Sequence, residues 1–418
     1  MAPLCVKYSC NGAANAGPLT IDQAGHLFGT LNAGGRRDRG SVFEVLKFPG
    51  HKRWSIRTLY SFCARLDCKD GADPTQAGVV ADTAGNLYGT TYAGGAYDAG
   101  VFFKLSQQGS NRNWVLTVLY DFCSRNSACT DGGLPQGPLV HEGQAQGAAY
   151  DGVSPLYGTA TAFGSHQGGT VFSLMPGTGT RWRETVLFSF CGDHAYPDCP
   201  DGKFPVGLGL DGQGNLIGVT AFGGQGATRD AGILFKLTPV SGEARWTGTV
   251  LHRFCPLAGC ADGFQPIGAP VADAGGNIYG VTIAGGNAMC NGAGCGVLYK
   301  VTPQGHESVL YTFCSVGNCL DNSLPIGGPV IDANGVLYGT TARGGAWHTD
   351  VNSQGGGTVY SFSGSSLTTL YSFCKESSCT DGEYPVSGPT IDGAGNLYGP
   401  TQLGGPAGSG VVFQLQPR

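Results

Sequence analysis

Charge is scarce in this chain. Only 13% of its 418 residues are Asp, Glu, Lys or Arg, and the formal net charge is −5. A nucleic-acid binder needs a basic footprint. The densest basic cluster here, Arg36, Arg37 and Arg39, is interrupted by Asp38, so nucleic acid is excluded as a partner. Long apolar runs are missing too. None reaches the ~20 residues that a membrane helix requires, and no membrane span is expected. There is no Gly-x-Ser-x-Gly elbow, no phosphate-binding glycine loop and no His-Glu-x-x-His pair. No cofactor is implied, and no cysteine is left over from an even set.

Glycine is abundant, at 73 residues, and it recurs in register. The phrase Leu-Phe-Gly at Leu27 returns as Leu-Tyr-Gly at Leu87 and Leu156, Leu-Ile-Gly at Leu216, Ile-Tyr-Gly at Ile278, and Leu-Tyr-Gly at Leu337 and Leu397. The spacings are 60, 69, 60, 62, 59 and 60 residues. That period is too long for a solenoid coil and long enough for a four-stranded blade. Seven copies predict an all-β, seven-bladed β-propeller. A single domain over 1–418 follows, with first strands starting near 18, 78, 138, 207, 269, 328 and 388. One blade cannot bury its own faces, so the ring forms one core.

The repeat from Gly78 reads as four strands. Val79 to Ala81 is the innermost, and Asp82 to Asn86 is a tight turn in which Asp bonds its own backbone and Gly supplies φ > 0. Leu87 to Thr91 is the second strand, Val101 to Leu105 the third, and Trp114 to Phe122 the outermost. A loop carrying Gly94-Gly95 joins the second and third. The Asp turn recurs at Asp22, Asp211, Asp273, Asp332 and Asp392, and it lacks the alternating acids of a calcium loop. An Asp-Gly pair after the second cysteine recurs at Asp70, Asp131, Asp201, Asp262 and Asp381. Such regularity marks architecture rather than a reaction centre. An insertion from His141 to Gly152 lengthens the first turn of blade three and reads as a partner contact or, preferably, a tolerated bulge.

The sixteen cysteines fall into eight close pairs: Cys5/Cys10, Cys63/Cys68, Cys123/Cys129, Cys191/Cys199, Cys255/Cys260, Cys290/Cys295, Cys314/Cys319 and Cys374/Cys379. Local pairs in an even set read as disulfides made in an oxidising compartment. Zinc would need four ligands at one point, and pairs on separate blades are expected not to converge, so no metal site is assigned. The expected location is secreted or periplasmic. Met1 to Cys5 has no charged start or apolar stretch, which fits a chain whose leader has been removed.

Six outer strands are present, near Leu59, Leu119, Leu187, Leu251, Leu310 and Leu370, and a seventh is missing after Leu415. Residues Leu4 to Gly12 match the segment that elsewhere follows an outer strand. The N-terminal segment 1–17 is therefore expected to close blade seven, with only a stub of its fourth strand.

The units Gly85-Asn86-Leu87-Tyr88-Gly89-Thr90-Thr91, Gly94-Gly95 and Gly100-Val101-Phe102-Phe103-Lys104-Leu105 resemble the GloVer-type tandem repeats of secreted bacterial proteins, over essentially the whole chain. The resemblance implies an exported, sometimes surface-anchored bacterial protein, and no reaction. This chain departs by adding a cysteine pair after nearly every outer strand and by lacking an anchor segment.

Candidate site residues come from departures from the repeat on the face carrying the Gly-Gly and cysteine loops. That face is the usual functional face of propellers, by analogy of fold. Blade six has the longest Gly-Gly loop, with Arg343, Trp347, His348 and Asp350. Trp beside polar neighbours suits stacking on a sugar ring, and it equally suits a surface loop packed on the next blade. Blade one offers Arg36, Arg37 and Arg39, which suit an anionic group such as a uronate or a solvated turn. Blade three offers His166, followed by His194 and Tyr196 in its cysteine loop. The leading expectation is an exported rigid binding module for a glycan or cell-surface ligand. The alternatives are a polysaccharide lyase or glycoside hydrolase, which needs paired carboxylates, and a purely structural or adhesive protein.

Overall fold

The glycine of each recurring phrase is demanded by the strand beside it. Gly89 pairs directly with Phe103 of the third strand, Gly158 with Phe172, and Gly399 with Phe413. In each case the far end of the aromatic ring reaches over the glycine. A Cβ there would come within 2.8, 2.6 and 2.6 Å of the ring respectively. The aromatic is in turn packed by the Phe that precedes each loop cysteine of the previous blade. Phe62 meets Phe103, Phe122 meets Phe172, Phe190 meets Phe235 and Phe373 meets Phe413, with centroids 5.1–5.2 Å apart. Tilted and edge-to-face contacts of this kind hold blade to blade.

The computed structural model describes residues 2–3, 16–47, 54–109, 113–144, 147–177, 182–192, 199–224, 230–242, 245–290, 292–347 and 355–417. It contains seven antiparallel four-stranded sheets arranged as blades. Blade two is typical: Val80–Ala81, Leu87–Thr90, Val101–Gln108 and Asn113–Asp121 pair in sequence order. Blade seven is closed by the other end of the chain. Ala2–Pro3 pairs antiparallel with the third strand, Ala2 opposite Val412 and Pro3 opposite Val411. The expected stub of a fourth strand is thus present. Thr390 of blade seven also donates to the carbonyl of Leu19 in blade one. No described helix is long and apolar enough to cross a membrane.

The inner strands meet main chain to main chain. A Cβ on Gly268 would overlap the backbone of Gly328, and one on Gly327 the backbone of Gly388. Gly17 and Gly78 make the same approach in blades one and two. In blades three, six and seven the first strand is in two short pieces, with Gly137, Gly327 and Gly328, and Gly388 in the respective gaps.

The turn chemistry is as expected. Asp82 Oδ1 accepts the amides of Ala84 and Asn86 at 2.9 and 2.8 Å, and Asp22, Asp211, Asp273, Asp332 and Asp392 repeat the arrangement. The blade-three insertion has a definite task. Tyr150 packs on Tyr88 at 5.5 Å, and its carbonyl accepts the Thr83 amide at 3.0 Å. It buttresses blade two rather than bulging freely.

Seven of the expected disulfides are formed: Cys63–Cys68, Cys123–Cys129, Cys191–Cys199, Cys255–Cys260, Cys290–Cys295, Cys314–Cys319 and Cys374–Cys379. Cys5 and Cys10 lie outside the described residues. Seven bridges mark a protein of an oxidising compartment. One geometric expectation is corrected. Cys290, Cys295, Cys314 and Cys319 do converge, with all four sulfurs within 4.8 Å of one another. Both pairs sit at the same end of blade five, one in its Gly-Gly loop and one in the loop after its outer strand.

Candidate functional site

The Gly-Gly and cysteine loops form one continuous face because they are bonded to each other. The amide of the second glycine donates to the carbonyl of a loop cysteine: Gly95 to Cys68, Gly224 to Cys199, Gly286 to Cys260, Gly345 to Cys319 and Gly405 to Cys379, at 2.8–3.2 Å. Gly164 does the same to Cys129. Each cysteine loop is held from beneath by the aspartate of its Asp-Gly pair. Asp70 accepts the Tyr60 hydroxyl at 2.7 Å and the amides of Ala64 and Arg65 at 2.9 and 3.0 Å. Asp131 and Asp381 repeat this with Tyr120 and Tyr371. Blade five uses Asp321, whose partner residue is Asn322 rather than glycine. Asn322 is buried at φ +137°, and its Oδ1 accepts the hydroxyls of Thr358 and Thr369.

Three loops converge at blades five and six. Asn287 Nδ2 donates to the Phe313 carbonyl at 2.9 Å, joining the Gly-Gly loop of blade five to its cysteine loop. Gly345 joins that cysteine loop to the Gly-Gly loop of blade six. Each loop exposes large apolar side chains: Met289 on the first, Val316 and Leu320 on the second, and Trp347, 44% exposed, on the third. All four side chains stand on loops that are hydrogen-bonded to one another.

The residues expected from sequence are spread around the ring. Trp347 and Arg343 share blade six, where Arg343 is half-buried and paired opposite Ser323. His348 and Asp350 lie outside the described residues, as do His194 and Tyr196. Arg36, Arg37 and Arg39 are exposed on blade one, and Arg39 Nη1 is engaged by Asp73 of blade two at 3.1 Å. His166 is exposed on blade three, its ring 3.8 Å from where a Cβ of Gly192 would stand. These groups share a face but do not form one site.

Sequence reasoning missed a recurring backbone feature near the axis. The residue before the proline of each first strand is left-handed without being glycine: Asp73, Leu134, Phe204, Gln265, Leu324 and Tyr384, with φ between 54° and 61°. Each amide donates to the Gly-Gly loop of the preceding blade, as Leu134 does to the Ala99 carbonyl at 2.8 Å and Phe204 to Gly168 at 2.9 Å. All six side chains are partly exposed. Asp73 is the acidic one. Burial raises its carboxyl above the ordinary range against the pull of Arg39, and Asp98 and Asp38 add to the rise.

Burial also shifts acids elsewhere. Glu184 of blade three is pushed up to about 8, because desolvation outweighs Arg125 beside it and Asp131 adds repulsion. Its side chain is sealed from solvent, 2.6 Å from Arg125 Nη2. Glu307 and Glu383 are raised by burial as well.

Among solved structures, the Pseudomonas aeruginosa periplasmic gluconolactonase PpgL is 15% identical, with a TM-score of 0.49 over 88% of this chain and 87% of that one. The α-L-arabinofuranosidase of Fusarium graminearum is 11% identical, with a TM-score of 0.43 over 87% and 95%. Likeness at this level carries nothing about activity. No curated protein matches the chain. The model of the Gloeobacter/Verrucomicrobia repeat matches residues 141–351 and, overlapping them, 269–418, more than half of the sequence, and the chain belongs to that repeat family.

Proposed function

We propose that this protein is a rigid, exported binding module whose Gly-Gly face takes a glycan or another cell-surface ligand, with Trp347 as the stacking platform. The observation behind this reading is the distribution of exposed large apolar side chains. Seven of the eleven among the described residues, namely Leu66, Tyr97, Leu257, Met289, Val316, Leu320 and Trp347, are on loops of this face. The last four belong to the three stitched loops of blades five and six. An indole presents a flat apolar surface to the C–H face of a sugar ring. The neighbouring Arg343, and the arginines of blade one farther round, supply polar and anionic contacts. Disulfides and loop-to-loop bonds hold the platform in place before binding, which lowers the entropy cost of recognition. A secreted or periplasmic location fits the disulfides.

Retention on a polysaccharide array tests the reading, with reducing-end and unsaturated products scored in the same wells. Retention without cleavage, lost roughly tenfold or more in Trp347→Ala and Leu320→Ser, is the expected result. Retention that both variants leave unchanged refutes the assignment.

A second reading, a polysaccharide lyase or glycoside hydrolase, is favoured by Asp73 alone. It is a raised carboxyl on this face with Asp38 and Asp98 close enough to act on it. Product release abolished by Asp73→Asn would establish it.

A further inference from the structure

Among the described residues, one pair of disulfides stands side by side, Cys290–Cys295 and Cys314–Cys319 of blade five. The cause is one departure from the repeat. The residue before the last glycine of each Gly-Gly loop is Arg39, Ala99, Gly168, Ala231, Gly356 or Ser409 in the other blades. This position lies against the first cysteine of the same blade's cysteine loop. A Cβ on Gly356 would come within 2.9 Å of Cys374 Cβ and 3.1 Å of Cys374 Sγ. In blade five the position is Cys295, and Cys314 is the counterpart of Cys374.

The two loops are held by bonds that owe nothing to sulfur. The Cys295 carbonyl accepts the Leu324 amide at 3.1 Å, and the Cys314 amide donates to the Asn322 carbonyl at 2.8 Å. Asn287 ties one loop to the other. Opening the bridges therefore leaves the four cysteines facing each other. Cys295 and Cys314 are buried, while Cys290 and Cys319 are half-buried and open to a reductant.

We infer that Cys290, Cys295, Cys314 and Cys319 form a four-thiolate zinc site when their two bridges are reduced. Tetrahedral Zn²⁺ stands about 2.3 Å from each of four sulfurs, which sets the sulfurs about 3.8 Å apart. All four already lie within 4.8 Å of one another. The bonded sulfurs must separate, and Cys290 and Cys319 are the ones with room to turn. The step balances with a dithiol as reductant. Each bridge takes two electrons and two protons from one dithiol, which closes to its own disulfide. Zinc then displaces the four thiol protons to solvent. Cys374, Cys379 and Glu383 also converge, but they offer three ligands and not four. The metal ties the same two loops that the bridges tie, so blade five keeps its part of the Gly-Gly face in either state.

Metal titration of the full chain tests the inference. The protein is reduced with a water-soluble phosphine, desalted without air, and titrated with Co²⁺ and then Zn²⁺. The expected result is one Co²⁺ per chain with the absorption of a tetrahedral thiolate complex, displaced by one Zn²⁺, and no such uptake before reduction. Cys290→Ser/Cys295→Ser leaves blade five with a single loop bridge, as five other blades have. It is expected to fold with the parent's circular dichroism spectrum and to lose the tetrahedral cobalt band. Cys63→Ser/Cys68→Ser removes an isolated bridge and should keep it. A reduced parent that gives no tetrahedral band, a band that persists in Cys290→Ser/Cys295→Ser, or a band lost in both double variants overturns the proposal.

Discussion

The hydroxyl of Tyr60 donates to Asp70 Oδ2 across 2.7 Å, beneath the loop that Cys63 and Cys68 close. The same buried carboxylate holds the amides of Ala64 and Arg65. Asp70→Ala strands three donors and should cost about 3 kcal/mol or more. Tyr60→Phe removes one bond and should cost about 1 kcal/mol. Urea midpoints at unchanged m-value measure both. Equal costs for the two variants would show that the aspartate is not the hub of the loop.

Glu184 makes stability fall with rising pH. Its folded value of about 8 lies above the ordinary 4.5. Between those values the native chain keeps a proton that the unfolded chain has released, so stability declines as pH rises through that window. His141 is shifted down by burial and works in the opposite direction, below its ordinary 6.5. Glu307 and Glu383 are raised as well, so the difference between the parent and Glu184→Gln from pH 6.5 to 8 isolates this glutamate. A decline of roughly 1 kcal/mol per pH unit is expected, and Glu184→Gln should flatten it. Parallel curves for the two proteins would contradict this.

The contact of inner strands predicts a sharp contrast between glycines. Gly268 is left-handed at φ +71° and touches the backbone of Gly328, whereas Gly393, in the Asp turn of blade seven, has nothing within 4 Å of its Cβ position. Gly268→Ala should destabilise by several kcal/mol or prevent folding. Gly393→Ala should be neutral or slightly stabilising, by about 0.5 kcal/mol. Circular dichroism melts of the two variants decide the matter.

The four sulfurs of blade five permit exchange. In Cys290→Ser, the released Cys295 thiolate stands within 4.8 Å of the Cys314–Cys319 bridge. Attack there forms one disulfide, breaks one and frees one thiol. Peptide mapping under non-reducing conditions should find Cys295 linked to Cys314 or Cys319 in part of the protein. Recovery of Cys295 solely as a free thiol would rule the exchange out.

The ring was legible in the sequence because its cause is local. A glycine under a cross-strand aromatic, as at Gly89 and Phe103, must recur wherever the ring recurs. The cysteine pairs and Asp turns close over a few residues and were equally plain. Contacts between blades were not. Phe188 and Gly248 look like ordinary drift when each is read in its own repeat. Their relation shows only when blades three and four are set side by side, where the Phe188 ring covers Gly248. Asp321 escaped the Asp-Gly pattern because Asn322 follows it. The left-handed backbone at Leu134, Phe204 and Leu324 is set by a proline and a neighbour's carbonyl rather than by side-chain type, so the sequence carries no mark of it. Of the candidate site, Trp347 is exposed on a loop bonded to the cysteine loop of blade five. Met289, Val316 and Leu320 were missed because each is an isolated apolar residue in its own loop.

That left-handed backbone has a consequence for how such proteins diversify. At Asp73, Leu134, Phe204, Gln265, Leu324 and Tyr384 the main chain carries the whole architectural duty, through one amide and the following proline. That amide bond makes no demand on side-chain type, and acid, amide, aliphatic and aromatic residues already occupy the equivalent backbone position. The rim is thus a set of interchangeable sockets, in which chemical preference can change one residue at a time while the scaffold stands still.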